Sequence, residues 1–292
     1  MCHAFYVHRY RRKEASGYMV KGLYTAWSAM INEQHRMDVA TNNLANANTN
    51  GYKKEGSSQQ TFRSQLALKI KDTSEPGLYP RRLGRIVPGV KTGEDYTDWS
   101  EGPMKSTGNT WDLAISGKGF FAIDYTSAHN NVAGHQAGQQ TVMYTRDGNF
   151  TLTADGALVT HDGDYVLDTE GQHIVVDTTK KHAVNVKGQV LEFTGEGENE
   201  TSEVVATIGL FDFEDYDALA KYGENLYEPT DEAVVINGTG TINAGFLEQS
   251  NVSVVDEMVS IINIQRHYEA ASTMIQTANE TLKTATSELG RL

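Results

Sequence analysis

The chain has 292 residues and a formal net charge of −13; it can fill one large domain or two modest ones, and the excess of acid argues against general nucleic-acid binding, which needs a basic face for phosphates. Its single cysteine, Cys2, excludes an intramolecular disulfide and any cysteine-based zinc site. No stretch approaches the ~18 consecutive apolar residues of a membrane-spanning helix, and a mean hydropathy of −0.47 suggests an elongated shape with much exposed surface.

Residues 1–18 are basic at Arg9, Arg11, Arg12 and Lys13, with no apolar run behind them. They are therefore neither a Sec-type nor a twin-arginine signal, so the protein stays in the cytoplasm or leaves by a route that reads no cleavable signal. They also lack the periodicity that opens at Met19, and we expect 1–18 to be a non-native upstream extension; native protein beginning at Met1 would contradict this.

From Met19 the pattern is helical. Leu23, Trp27, Met30, Gln34, Met37, Thr41 and Leu44 step by 4, 3, 4, 3, 4, 3, the seam of a coiled coil with polar interruptions. Asn50-Gly51 is a turn signal, so the helix should stop by about Asn46 to Asn48. Asn42, Asn43 and Asn46 suit that stop, because asparagine side chains satisfy the last helical carbonyls. This helix and its turn make a segment 19–62. Segment 63–108, broken at Pro76-Gly77, Pro80, Pro88-Gly89 and Gly102-Pro103, reads as an extended connector, and Arg81, Arg82, Arg85 and Lys91 in it as a solvated basic loop.

Over 109–246 the period changes to two, which predicts a central antiparallel β domain. Asp112–Ser116 and Gly119–Ile123 are strands, and Met143–Thr145 leads into the turn Arg146–Asn149. The glycines of Gly148 and of the turns Asp155-Gly156, Asp162-Gly163 and Glu170-Gly171 stand 8, 7 and 8 residues apart, a meander cadence. Gln189–Phe193, Val204–Phe213 and Thr241–Leu247 add strands; 129–140 reads as a mobile hairpin tip and 195–203 as a solvated loop. No βαβ alternation is visible.

The rear segment, 247–292, is one long helix. Val254, Met258, Ile261, Gln265, Tyr268, Ser272, Ile275, Asn279, Leu282, Thr286 and Leu289 keep the same alternation. Ser250 or Asn251 serves as N-cap, and Asp256 and Glu257 suit the positive end of the dipole. A helix of this length, on the order of 50 Å, needs a partner along it, and the front helix is the nearest. Seams this polar fix register at a cost in stability, so the pair should be marginal alone and ordered on assembly. The expected fold is thus mixed α and β, segregated: terminal helices in a coiled coil and an all-β middle.

Chemistry is hard to find. Gly117-Lys118-Gly119-Phe120-Phe121-Ala122 fits a loose dinucleotide pattern, but an aromatic strand follows where a helix N-terminus is required. His161-Asp162-Gly163-Asp164 lacks the layout of a calcium loop. His129, His135, His161, His173 and His182 are scattered rather than convergent, and no nucleophile elbow or metalloprotease helix is present. We expect no catalytic residue, cofactor or metal.

The run Asn42-Asn43-Leu44-Ala45-Asn46, then Thr49, then Gly51-Tyr52-Lys53, resembles the N-terminal signature of bacterial flagellar rod and hook proteins, A-N-N-L-A-N-x-x-T-x-G-[FY]-[KR], with Thr41 in place of the usual small first residue. Leu247–Val252, Glu257–Val259 and Gln265-Arg266-His267-Tyr268-Glu269 resemble that family's C-terminal segment, and Asp112–Phe121 and Tyr144–Gly148 its middle, so the likeness runs from Met19 to Leu292. It implies a basal-body structural subunit, not an enzyme, located in the cell envelope. Such subunits leave through the flagellar type III export apparatus and polymerise with themselves and with other rod and hook subunits, without nucleic acid or membrane insertion. The inner layer of that tube would be the helices, with Leu23, Trp27, Met30, Met37 and Leu44 facing Met258, Ile261, Tyr268, Ile275 and Leu282, the seam running on to Val254 and Leu289. The length resembles the distal rod subunit or its proximal relative of the same layout, and Gln265–Glu269 leans to the distal. Alternatives are a hook-type subunit or a lineage-specific rod relative and, in another class, a secreted β-domain hydrolase with rod-like ends.

Overall fold

The computed structural model describes residues 2–69, 81–125, 141–194, 201–223 and 225–290. Two long helices, α1 (Cys2–Ala45) and α2 (Val254–Leu289), bracket a β-rich middle built chiefly of antiparallel strand pairs. The α1 helix stops one residue before Asn46 and runs back to Cys2.

By contacts the chain divides into two compact units. One comprises Met1–Asn42, Glu55–Tyr96 and Val255–Leu292; the other comprises Asn43–Lys54 and Thr97–Val254. The signature residues from Asn43 onward therefore fold with the β middle, not with the helix that leads into them as the 19–62 segment supposes. The β unit likewise extends beyond the expected 109–246.

Segment 63–108, whose part up to Tyr96 belongs to the helical unit, is more structured than a connector. Gln65–Lys69 pairs with Arg81–Ile86, Lys69 opposite Arg81 and Gln65 opposite Ile86. Val90–Thr97 pairs with Glu55–Thr61. Pro88 punctuates the two pairs instead of abolishing them: it sits between strands, where its missing N–H costs no ladder bond.

In the β unit, Phe120–Tyr125 is the hub. It pairs with Thr141–Thr145 on one side and with Tyr165–Val166 on the other, and its first residues pair with Leu210–Phe213. Alternate side chains of a strand point to opposite faces, and here both faces are covered. Phe121 joins Leu113, Ile115, Phe150, Leu158 and Val166 in one cluster. Phe120 and Ala122 join Tyr144, Leu167, Phe213 and Tyr227 in a second, against Trp99. That explains the unbroken apolar run Phe120–Ile123, all of it buried. The turns at Asp155-Gly156 and Asp162-Gly163 separate the short strands Phe150–Leu152, Leu158–Thr160 and Tyr165–Val166. A separate three-stranded sheet joins Lys181–Val184, Gln189–Thr194 and Thr201–Thr207. The hairpin tip expected at 129–140 and most of the acidic loop 195–203 lie outside the described residues.

Candidate assembly surfaces and the signature turn

The chain leaves α1 through a tight turn. The Thr49 amide donates to the Asn46 carbonyl at 3.2 Å, and its hydroxyl to Asn46 Oδ1 at 3.3 Å. The Tyr52 hydroxyl donates to Asn43 Oδ1 at 3.1 Å. Gly51 has φ +68°, and a Cβ there would stand 2.4 Å from the Asp147 backbone nitrogen. Conformation and space both demand glycine at that position.

Behind the turn sits a buried charge cluster. Lys53 Nζ lies 2.6 Å from Glu248 Oε1, and Arg146 Nη1 lies 3.3 Å from Glu248 Oε2. The same carboxylate accepts the Gly102 amide at 3.0 Å. Lys53 also donates to the Ser100 carbonyl at 2.8 Å, and Arg146 to the Gly117 carbonyl at 2.8 Å. All three ionic side chains are buried. Burial pushes the Lys53 ammonium below its ordinary value, with Glu248 acting against that shift. Asn251 completes the lock: its Oδ1 accepts the Lys54 amide at 2.7 Å and its Nδ2 donates to the Asp98 carbonyl at 2.9 Å. Four stretches remote in sequence, around residues 53, 100, 146 and 248, are tied together here. The arrangement is a structural lock; its carboxylate is consumed by three donors.

The helical faces are a different kind of surface. On α2 the covered stripe is Glu257, Ile261, Ile264, Tyr268, Ala271, Ile275, Ala278 and Leu282, of which Glu257, Ile264 and Ala271 are buried and the others half-buried. On α1 it is Leu23, Ala26, Met30, Glu33, Met37, Ala40 and Leu44, with Ala26, Glu33 and Ala40 buried. Every second expected seam position from Leu23 to Leu44 on α1 and from Ile261 to Leu282 on α2 thus lies in a covered stripe. At the alternate positions, Ala26, Glu33 and Ala40 replace Trp27, Gln34 and Thr41, and Ile264 and Ala271 replace Gln265 and Ser272. The polar seam residues Gln34, Thr41, Gln265, Asn279 and Thr286 are exposed. The Leu289 side chain lies outside the described residues. The two helices touch: His267 Nδ1 lies 3.8 Å from Glu33 Oε1, which also receives Arg36 and Gln59.

A second apolar face remains uncovered. Tyr24, Trp27 and Ile31 on α1 are 61, 52 and 44% exposed; Val255, Met258, Val259 and Ile262 on α2 are 70, 50, 52 and 50% exposed. Spacings of three and four place each set on one face. Val254, another expected seam residue, is also exposed. Sequence reasoning folded Trp27, Val254 and Met258 into a single seam. The signal it passed over was that the first two turns of α2 are apolar on more than one face.

Two of the scattered histidines have structural partners. His173 Nε2 meets Asp124 Oδ2 at 2.8 Å and stacks on Tyr165, and His182 lies against Trp111. His129 and His135 fall outside the described residues. Among the described residues no group of His, Cys, Asp and Glu is arranged to hold a metal ion.

Comparison with known proteins returns one theme. Three family models match: the "Flagella basal body rod protein" model over residues 23–53, the "Flagellar hook protein FlgE/F/G D1 domain" model over 114–192, and the "Flagellar basal body rod FlgEFG protein C-terminal" model over 243–288. The chain is 36% identical over 276 residues to the flagellar basal-body rod protein FlgG of Bacillus subtilis, covering 91% of this chain and 97% of that one. It is 32% identical to the flagellar basal-body rod protein FlgF of Caulobacter vibrioides, covering 94% of this chain and all of that one. It is 30% identical to the flagellar hook-basal body complex protein FlhO of Bacillus subtilis, again over 94% of this chain.

Proposed function

The chain belongs to the family of flagellar basal-body rod and hook proteins, and on that premise we propose that it is a distal rod subunit that polymerises through its terminal helices into a hollow, torque-transmitting tube. It is a structural protein of the flagellar basal body, not an enzyme. The observation that carries the polymer reading is the uncovered apolar face of α1 and α2. Seven large apolar side chains at helical spacing, Tyr24, Trp27, Ile31, Val255, Met258, Val259 and Ile262, are a third or more exposed, and apolar faces of this kind mark interaction surfaces. Copies of the chain that cover these faces supply the burial that each lacks alone. The covered stripes, with Ile261, Tyr268, Ile275 and Leu282 on α2 and Leu23, Met30, Met37 and Leu44 on α1, are the natural coiled-coil seam of each subunit.

The distal assignment rests on the segment Gln265-Arg266-His267-Tyr268-Glu269. Export through the flagellar type III apparatus, and contacts with neighbouring rod and hook subunits, follow from the same reading. The test is Val259→Asp with Ile262→Asp in the full chain. The β unit of the purified variant should melt as wild type does, while electron microscopy of basal bodies should find the variant missing from the rod. Normal incorporation of the double variant contradicts the assignment of the assembly face.

A further inference from the structure

The β unit has two parts that differ in where their partners stand along the chain. The nine described strands of its main sheet all lie between Phe120 and Asn237, so stretch 120–237 holds both members of every pair in that sheet. The front of the unit is different. Among the described strands, Met104–Ser106 pairs only with Phe246–Glu248, and Leu113–Ser116 only with Thr241–Ala244. Both partners come after the main sheet in sequence, in one short segment, 241–251.

That segment is bonded to the front of the unit along its whole length. The Gly51 amide donates to the Glu248 carbonyl at 2.9 Å, and the Thr107 amide to the Gly245 carbonyl at 2.9 Å. The Gly245 amide donates to the Asp112 carbonyl at 2.8 Å, and the Gln249 amide to the Pro103 carbonyl at 2.9 Å. The Ile242 amide reaches the Val186 carbonyl at 3.0 Å. Gly102 lies so close to the Gln249 carbonyl that a Cβ has no room there. The buried Ile242 side chain fills the cluster that holds Leu113 and Ile115. Glu248 brings the carboxylate for Lys53 and Arg146, 195 and 102 positions after them.

The order of closure follows from these separations. Pairing across a long stretch of chain forms late, because loop entropy is lost before the contacts compensate it. Charge reinforces the order. Without Glu248, burial would leave Lys53 and Arg146 facing no counter-charge, so both stay hydrated until that carboxylate arrives. We infer that segment 241–251 is a strap: it closes over the front of the β unit last, and it opens as one piece while the main sheet stays folded. A chain that emerges N-terminus first therefore keeps the front of its β unit open until segment 241–251 has emerged. The strap is a property of the single chain and is independent of the polymer reading.

Hydrogen exchange of the purified full chain, read amide by amide, tests this. In wild type the amides of Gly51, Thr107, Ile242, Gly245 and Gln249 should share one opening equilibrium. They should be protected at least about tenfold less than the slowest amides of Phe120–Tyr125 and Thr141–Thr145. Pulse labelling during refolding should protect those two strands before the five strap amides. Two variants separate the parts. Ile123→Val, in the main sheet, should speed exchange of the slowest sheet amides about fivefold and leave the strap amides unchanged, because the sheet is still folded when the strap opens. Glu248→Gln weakens the closed state alone, and should speed exchange in both sets about a hundredfold or more. Strap amides as well protected as the main sheet, or accelerated equally by Ile123→Val, overturn the proposal, as does protection of the strap before the sheet.

Discussion

Gly51 and Glu248 concentrate the demands that the fold makes on single residues. Gly51→Ala combines a left-handed backbone with a Cβ pressed on the Asp147 nitrogen, and should cost the β unit roughly 2 kcal/mol or more of stability, read by denaturant unfolding. Glu248→Gln leaves two buried cations facing a neutral amide and should cost roughly 3–5 kcal/mol, measured in the same way; a loss below about 1 kcal/mol would show that the cluster is solvated. Lys53 adds a pH dependence. Burial holds its folded value below the ordinary 10.5, so as pH rises towards 10.5 the native state releases the proton before the unfolded chain does. Stability contributed by Lys53 therefore increases over that window, and the difference in unfolding free energy between wild type and Lys53→Met should move in favour of wild type; a difference that is flat with pH refutes the buried ammonium. The signature Asn42–Lys53 was legible in sequence as a helix stop. The partner of Lys53 was not, because Glu248 is 195 positions away and nothing local distinguishes it from the other acidic residues.

At the scale of elements, the existence of both helices and the stop of α1 were plain from period and turn chemistry, and the register was not. A 3-4 repeat can be threaded through either of two adjacent residues at every second position. Apolarity favoured Trp27 over Ala26, while charge hid Glu33 and small size hid Ala40 and Ala271. The structure covers the small residues, since they permit the closest approach of helices, and turns Trp27 and Met258 outward. Two variants separate the faces. Ile261→Asp, in the covered stripe, should abolish rod incorporation with the β unit still folded, and should also lower the helical signal of the monomer. Val259→Asp, on the uncovered face, should abolish incorporation with the monomer's circular dichroism unchanged. Equal loss of helicity in both would merge the two faces into one. The strands in 63–97 escaped sequence reading because prolines and glycines dominate that stretch, yet Pro88 falls between paired segments rather than within them.

At the scale of the molecule, two units share one chain in an interrupted order, and the division does not follow the linear segments. The signature turn belongs to the β unit through Lys53, Tyr52 and Gly51, which makes it an anchor as well as a helix stop. Both units present apolar surface outward, the helices at Tyr24, Trp27, Ile31 and Val255–Ile262, and the β unit at Val234–Ile236. On the proposed reading, a subunit built in this way gains its remaining burial from copies of itself. The most direct test of that claim is electron microscopy of basal bodies purified from the encoding bacterium with the gene deleted. The account predicts basal bodies with a truncated rod and neither hook nor filament, restored by the wild-type chain but not by Val259→Asp/Ile262→Asp. A complete rod lacking only its hook, or a complete flagellum, would contradict it.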